Sequence, residues 1–236
     1  MAEAVTAGTL AAQPGLAHGF FTRRGGVSGG GFAALNCSLS GRDDPDAVRE
    51  NRRRAADALG LPGAALVGLT QVHGSAVAVL DDPWPEDRRP QADAMVTRRP
   101  GLALGIVTAD CAPVLFADPE AGVIGGAHAG WRGAVGGVLE ATIEAMVAIG
   151  AGRARIIAAI GPCIRQPSYE VAADLRDAVL ARDPADARFF TDGARPDRWQ
   201  FDLAGYCAAR LRAAGVAVEV TPHDTLADEA RFFSHR

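Results

Sequence analysis

The chain has 236 residues, with 24 basic and 28 acidic side chains, a net charge of −4 and 48% apolar residues. That composition suits a globular protein with a sizeable core, and the weak negative charge argues against a nucleic-acid partner held by its phosphate backbone. All 24 basic residues are arginines; without a lysine there is no P-loop and no Schiff-base or pyridoxal chemistry, and any anion must be held by arginine, backbone N–H groups or a metal.

The opening stretch, MAEAVTAGTLAAQPGL, is too polar for the apolar segment of a signal peptide. No apolar run approaches the roughly 18 residues of a membrane helix, so no membrane partner is expected. Cys37, Cys111, Cys163 and Cys207 are scattered with no CxxC pair, as for reduced thiols in the cytoplasm. Next, FFTRRGGVS places Arg23 and Arg24 before a glycine loop. It reads either as an anion or ribose clamp or as a hairpin turn with solvated arginines. Asn36, in LNCS, either bonds a polar ligand or holds a turn through its side chain. Residues 43–60 read as a helix capped by Asp43 or Asp44, with Pro45 in its first turn and Gly60 at its end. Val48, Ala55 and Leu59 share its inner face, and Arg52–Arg54 its solvated outer face.

Over residues 64–127 the pattern changes to the short apolar runs AALVGL, SAVAVL, ADAMVT, LALGIV, APVLFA and GVIGGA. Gly, Pro and Asp divide them as strands of a sheet are divided, and the wholly apolar runs suggest a sheet covered on both faces. A helix follows over 133–149, a buried strand over 154–160, and helices over 172–182 and 202–214, the last with Asp202 as cap and Gly215 as stop. Residues 216–220 form a late strand. With no repeat and no long linker, the chain reads as one domain over 1–236. Strands in the middle and helices at the flanks indicate an α+β fold.

Three residues point to chemistry. His73 in QVHG, Cys111 in TADC and His128 in AHAGWRG all fall at strand ends, where residues distant in the chain can meet on one rim of a sheet. Two imidazoles and a thiolate suit Zn²⁺ and, less selectively, copper; three protein ligands leave a fourth position open, as catalytic sites do. Taken singly, a cysteine there is more often a small buried apolar residue, and a histidine a hydrogen-bonded one. The surroundings favour the site: Gly74, Gly130 and Gly133 permit close backbone approach, and Arg132 lies nearby. HExxH and HxE are absent, and Gln166 interrupts the PCxxC that starts at Pro162. Asp110 would orient a ligand histidine, transfer a proton or cap a turn. Gln71, two residues before His73, would share its side on a strand. Cys163, in IGPCI, reads as a packed turn residue.

The motifs QVHG, DAMVT, TADCAPVLFAD, GVIGGAHAGWRG and IGPCI, in this order and with FFTRRGGVS and LNCS, resemble those of bacterial laccase-domain proteins. This family is also called multicopper polyphenol oxidase and is described as purine nucleoside phosphorylase. The resemblance implies a layered α/β/β/α mixed β-sandwich related in architecture to cysteine-hydrolase toxins. It implies zinc on His73, Cys111 and His128, and the older family name brings in copper. It implies purine nucleoside and phosphate as partners: phosphorolysis of adenosine, inosine and methylthioadenosine, and deamination of adenosine. The expected catalytic residues are then Cys111, His73, His128 and Asp110, and the expected substrate contacts Arg23, Arg24, Asn36, Gln71 and Arg132, in a monomer or homodimer. Two other readings stay open, a copper-dependent phenol oxidase and a metal-free Cys111–His128 hydrolase. One three-ligand site and three methionines equip the first poorly. Asp224 stands where the family usually has cysteine, and the FFSHR tail is expected to form part of the site wall.

Overall fold

The computed structural model describes residues 1–61 and 66–236; Ala64 and Ala65, which open the AALVGL run, lie outside the described residues. The first part of the chain forms β1 (Ala4–Val5), α1 (Gly8–Ala11), β2 (Phe20–Phe21), α2 (Pro45–Ala58), β3 (Leu66–Val67) and β4 (Val77–Val79). The middle forms β5 (Ala94–Thr97), β6 (Ala103–Leu104), β7 (Ala112–Asp118), β8 (Val123–Ala129), α3 (Trp131–Gly136), α4 (Val138–Ala148) and β9 (Ile157–Ile160). The last part forms β10 (Glu170–Val171), α5 (Ala173–Arg182), β11 (Phe190–Asp192), β12 (Trp199–Phe201), α6 (Leu203–Ala213) and β13 (Ala217–Val220). The result is a mixed α/β arrangement with several sheets.

The largest sheet runs β13-β9-β7-β8-β5-β4, with parallel pairs at its two edges and antiparallel pairs between. Its strands alternate as the pleat requires. Ala94 and Val96 of β5, Val114 and Phe116 of β7, and Ala158 and Ile160 of β9 face α4 and α6. Met95, on the opposite face of β5, packs with Val67, Leu69 and Leu80 beside the short β3–β6 pair. Leu115 and Ala159 meet α1 through Leu10. Both faces are therefore covered, which is why these runs carry so few polar residues. Val138, Leu139, Ile143 and Met146 of α4 are fully buried, and truncating Ile143 to alanine would cost about 2–5 kcal/mol.

Two expectations are corrected. The helix over 133–149 is two helices, because Gly137 takes φ 92°, a left-handed conformation that ends α3 and starts α4 on a new axis. Arg52 is not solvated with Arg53 and Arg54. It lies four residues after Val48 and three before Ala55, on the inner face of α2, and donates to the carbonyls of Leu66 and Cys37. The rest of α2 is as expected: Asp44 caps it by accepting from the Asp46 amide at 2.9 Å, with Pro45 in the first turn.

Candidate metal centre and cavity

Strand direction makes the site. β4, β5 and β7 all start at the rim where β8 ends: Ala94 pairs with Ala127, and Ala112 with Ala129. Cys111 immediately precedes β7, His73 lies in the turn before β4, and His128 is the penultimate residue of β8. His128 alternates with Ala127 and Ala129, which face α4, so its ring emerges on the opposite face. The three side chains bring ligand atoms to within 4.8 Å of one another. The Cys111 sulfur is 3.9 Å from His73 Nε2, and the two imidazole rings meet edge-on with centroids 4.7 Å apart. Gly130 is obligatory here, because a Cβ would fall 2.9 Å from the Cys111 sulfur and 3.0 Å from His73 Cδ2.

Asp93 organises the centre. Fully buried at the head of β5, it accepts from His128 Nδ1 at 2.7 Å and from the amides of Val72, His73 and Gly74 at 3.1, 2.9 and 2.7 Å. One carboxylate thus engages Nδ1 of His128, turning Nε2 towards a metal that the cluster could hold, and clasps the turn that carries His73. That turn needs a clasp, since His73 has a left-handed backbone at φ 60°. Burial alone would push the Asp93 carboxyl up, but the His128 ring and the three amides outweigh it and hold the carboxyl below its usual range. Burial also opposes a charge on His128, yet its hydrogen bonds to Asp93 and Cys111 push that ring up to about 9, so a metal ion bound at Nε2 would displace a proton from it. Burial and the neighbouring His128 lower His73, which favours its neutral, ligating form. The donor chemistry, the compact spacing and the glycine cradle fit a borderline cation such as Zn²⁺.

The centre opens on a cavity of about 1030 Å³, wedged between the large sheet and the layer of α2 and β3–β6. Arg23, Asn36, Gln71, Asp110 and Arg132 line it with His73, Cys111 and His128; Arg24 does not. Several of these side chains are already engaged. Gln71 exchanges two hydrogen bonds with the Val107 backbone, at 2.8 and 2.9 Å. Asn36 holds a turn, accepting from the Ser38 amide at 3.1 Å and donating to Asp43 at 2.9 Å. Arg23 donates to the carbonyls of Ala33 and Glu229, at 2.8 and 3.1 Å, with its guanidinium over the Phe233 ring. Arg24 points away, to the Ala230 carbonyl and Glu3. Arg132 forms no ion pair among the described residues and lies against the Trp131 ring, 4.5 Å from its centroid.

Asp110 forms no hydrogen bond with His73 or His128; Asp93 holds both. Asp110, left-handed at φ 87°, accepts instead from Thr225 and Ser234 hydroxyls at 2.8 and 3.0 Å and from the His235 and Arg236 amides at 2.8 and 3.2 Å. It ties the C-terminal segment over the cavity, and Phe232 to Arg236 line the wall. Cys163 is fully buried, and burial pushes its thiol up to about 12, as befits a packed turn residue. Asp224 accepts from the Ser168 hydroxyl at 2.6 Å, so it stitches the tail rather than facing the ligands. Asp93 was overlooked in the sequence, although its signal was visible: an acid at the head of the apolar run ADAMVT must find buried partners.

Residues 17–236 match the family model described as multi-copper polyphenol oxidoreductase laccase. A Streptomyces griseus protein named purine nucleoside phosphorylase is 45% identical over 233 residues, covering 94% of this chain and 89% of that protein. A Deinococcus radiodurans protein of the same name is 44% identical over 232 residues, covering 96% and 87%. Among solved structures, YlmD from Geobacillus stearothermophilus superposes with a TM-score of 0.88 at 33% identity, covering 98% of this chain and 88% of that one. A Neisseria meningitidis protein of family DUF152 gives a TM-score of 0.81 at 34% identity, covering 92% and 86%.

Proposed function

From the premise that the chain belongs to the multi-copper polyphenol oxidoreductase laccase family, we propose that it is a zinc-dependent, cytoplasmic purine nucleoside enzyme, a single catalytic domain acting as monomer or homodimer. Its reactions are the phosphorolysis of adenosine, inosine and methylthioadenosine and the deamination of adenosine. The names of the curated relatives support the substrate class, and the fold is taken to be a layered α/β/β/α sandwich akin to the cysteine-hydrolase toxins. The observation that carries the reading is the meeting of His73, Cys111 and His128 on the wall of a cavity large enough for a nucleoside.

In phosphorolysis a phosphate oxygen bonds to C1′ of the ribose as the C1′–N9 bond breaks, and the electron pair leaves on the purine. In deamination water adds at C6 and ammonia departs. A metal ion on His73, Cys111 and His128 would supply Lewis acidity at an open coordination position. The chain's own residues do the rest. Asp93 keeps Nε2 of His128 and the His73 turn in place. Arg132 supplies positive potential at the cavity wall, where Arg23 is committed to carbonyls. The C-terminal wall, tied to Asp110, limits access of water.

Cys111→Ala removes the sulfur ligand, so tight zinc binding and turnover should be lost together. Metal analysis of protein purified without added copper, with chromatography of adenosine incubated with and without phosphate, measures both. Full activity in a metal-free Cys111→Ala protein would end this reading; copper with oxygen consumption on phenols would replace it with the oxidase.

A further inference from the structure

A second cavity, of about 290 Å³, lies beside the first, and Trp131, Tyr169 and Arg236 line both. Its size falls just under the roughly 300 Å³ at which small-molecule pockets begin, so it suits a compact group rather than a whole nucleoside. It adjoins the candidate metal centre, since Trp131 follows Gly130, whose missing side chain leaves room for Cys111 and His73.

Its cations are unevenly matched. Arg195 is paired with Glu170 at 2.5 Å, and the same carboxylate accepts from the Ala194 and Arg195 amides at 2.8 and 3.2 Å. Arg198, by contrast, donates only to the carbonyl of Asp197, its own neighbour, at 3.2 Å. Arg236 donates to the Glu170 carbonyl at 3.2 Å and lies over the Tyr169 ring, 5.1 Å from its centroid. Neither forms an ion pair among the described residues. Asp174 is the one other acidic side chain on this wall among the described residues, so the three guanidiniums of Arg195, Arg198 and Arg236 outnumber the two side-chain carboxylates. A guanidinium with unused donors is a planar fork that matches a tetrahedral oxyanion in two-point contact.

We propose that this side chamber is a phosphate-class oxyanion site, with Arg198 and Arg236 as its ligands and Trp131 and Tyr169 as its wall towards the metal centre. The assignment rests on the nucleoside-and-phosphate reading and gives the oxyanion a place that Arg23 and Arg24, engaged with the backbone, do not offer. Two sources share the chemistry: inorganic phosphate as co-substrate, or the 5′-phosphate of a nucleotide whose nucleoside occupies the main cavity.

Calorimetric titration of the metal-loaded protein with inorganic phosphate, and separately with adenosine 5′-monophosphate, tests the site without requiring turnover. Arg198→Gln and Arg236→Gln are each expected to weaken binding by about tenfold or more, with Arg212→Gln as an unchanged control and thermal melting as a check on folding. Weakening confined to one ligand identifies the source and upholds the site. Wild-type affinity of both variants for both ligands, or no binding of either ligand by the wild type, overturns it. Nucleoside turnover measured on the same samples judges the enzyme reading separately: a wild type that binds phosphate through Arg198 but splits no nucleoside keeps the site and loses the reaction.

Discussion

At the scale of single residues the centre depends on Asp93 more than on any group that faces the cavity. Its two oxygens serve one imidazole and three amides. Asparagine in its place has nearly the same shape but turns one acceptor into a donor and removes the charge that favours the His128 tautomer. Asp93→Asn should therefore keep the fold and weaken zinc binding by about 10–100-fold, measured by competition with a chromogenic chelator. Unchanged zinc affinity would show that the ligands hold their geometry unaided. Gly130 illustrates the converse, a position defined by what is missing: any side chain would enter the space between the sulfur and the His73 ring.

At the scale of elements, the longest strand pair is anchored at its far end by a second buried acid. Asp118, the last residue of β7, accepts from the Gly152 and Ala121 amides at 2.7 and 3.2 Å and pairs with Arg155. Arg155 is 43% exposed, so solvent screens the ion pair and the amides matter more. Burial alone would raise the carboxyl, but Arg155 and the two amides hold it below its usual range. A value depressed in the folded state gives stability that is complete above the unfolded value of about 4 and fades as pH falls through the folded one. Asp118→Ala should cost about 1–3 kcal/mol at neutral pH, by leaving the part-buried Gly152 and Ala121 amides without their partner. Denaturant unfolding from neutral to acid pH checks this: the gap between wild type and variant must narrow as the medium is acidified. A gap that stays constant would mean that the ionised carboxylate contributes nothing.

At the scale of the whole molecule, the two ends of the chain close the cavity together. The Arg23 amide donates to the Arg231 carbonyl at 2.7 Å, Glu3 pairs with Arg231 at 3.0 Å, and Asp110 gathers the tail from the opposite side. Asp110→Asn keeps a residue that tolerates positive φ but loses the charge that draws three donors to one oxygen. The last residues should then be trimmed several-fold faster by carboxypeptidase and KM should rise, while zinc affinity holds, because His73 and His128 are positioned by Asp93. Protease resistance equal to wild type would show that the tail is held by packing of Phe232 and Phe233 alone. No helix among the described residues is long and apolar enough to cross a membrane, and the layered packing accounts for the buried strands instead.

Much of this was legible in the chain itself. The caps of α2 and α6, the strand runs and the kinds of ligand at His73, Cys111 and His128 are local matters, decided by residues a few positions apart. The duties of the polar residues were not. Asp93 reaches His128 across 35 positions and Asp110 reaches Arg236 across 126, so adjacency to Cys111 suggested the wrong carboxylate for the histidine. Arg23 and Arg24 looked free beside a glycine loop, and the tail that occupies them lies some two hundred residues away. Composition and periodicity select which groups a protein can offer; a hydrogen bond's partner is chosen by distance and direction in space, and only the folded sheet, with three strands starting at the rim where a fourth ends, supplies those.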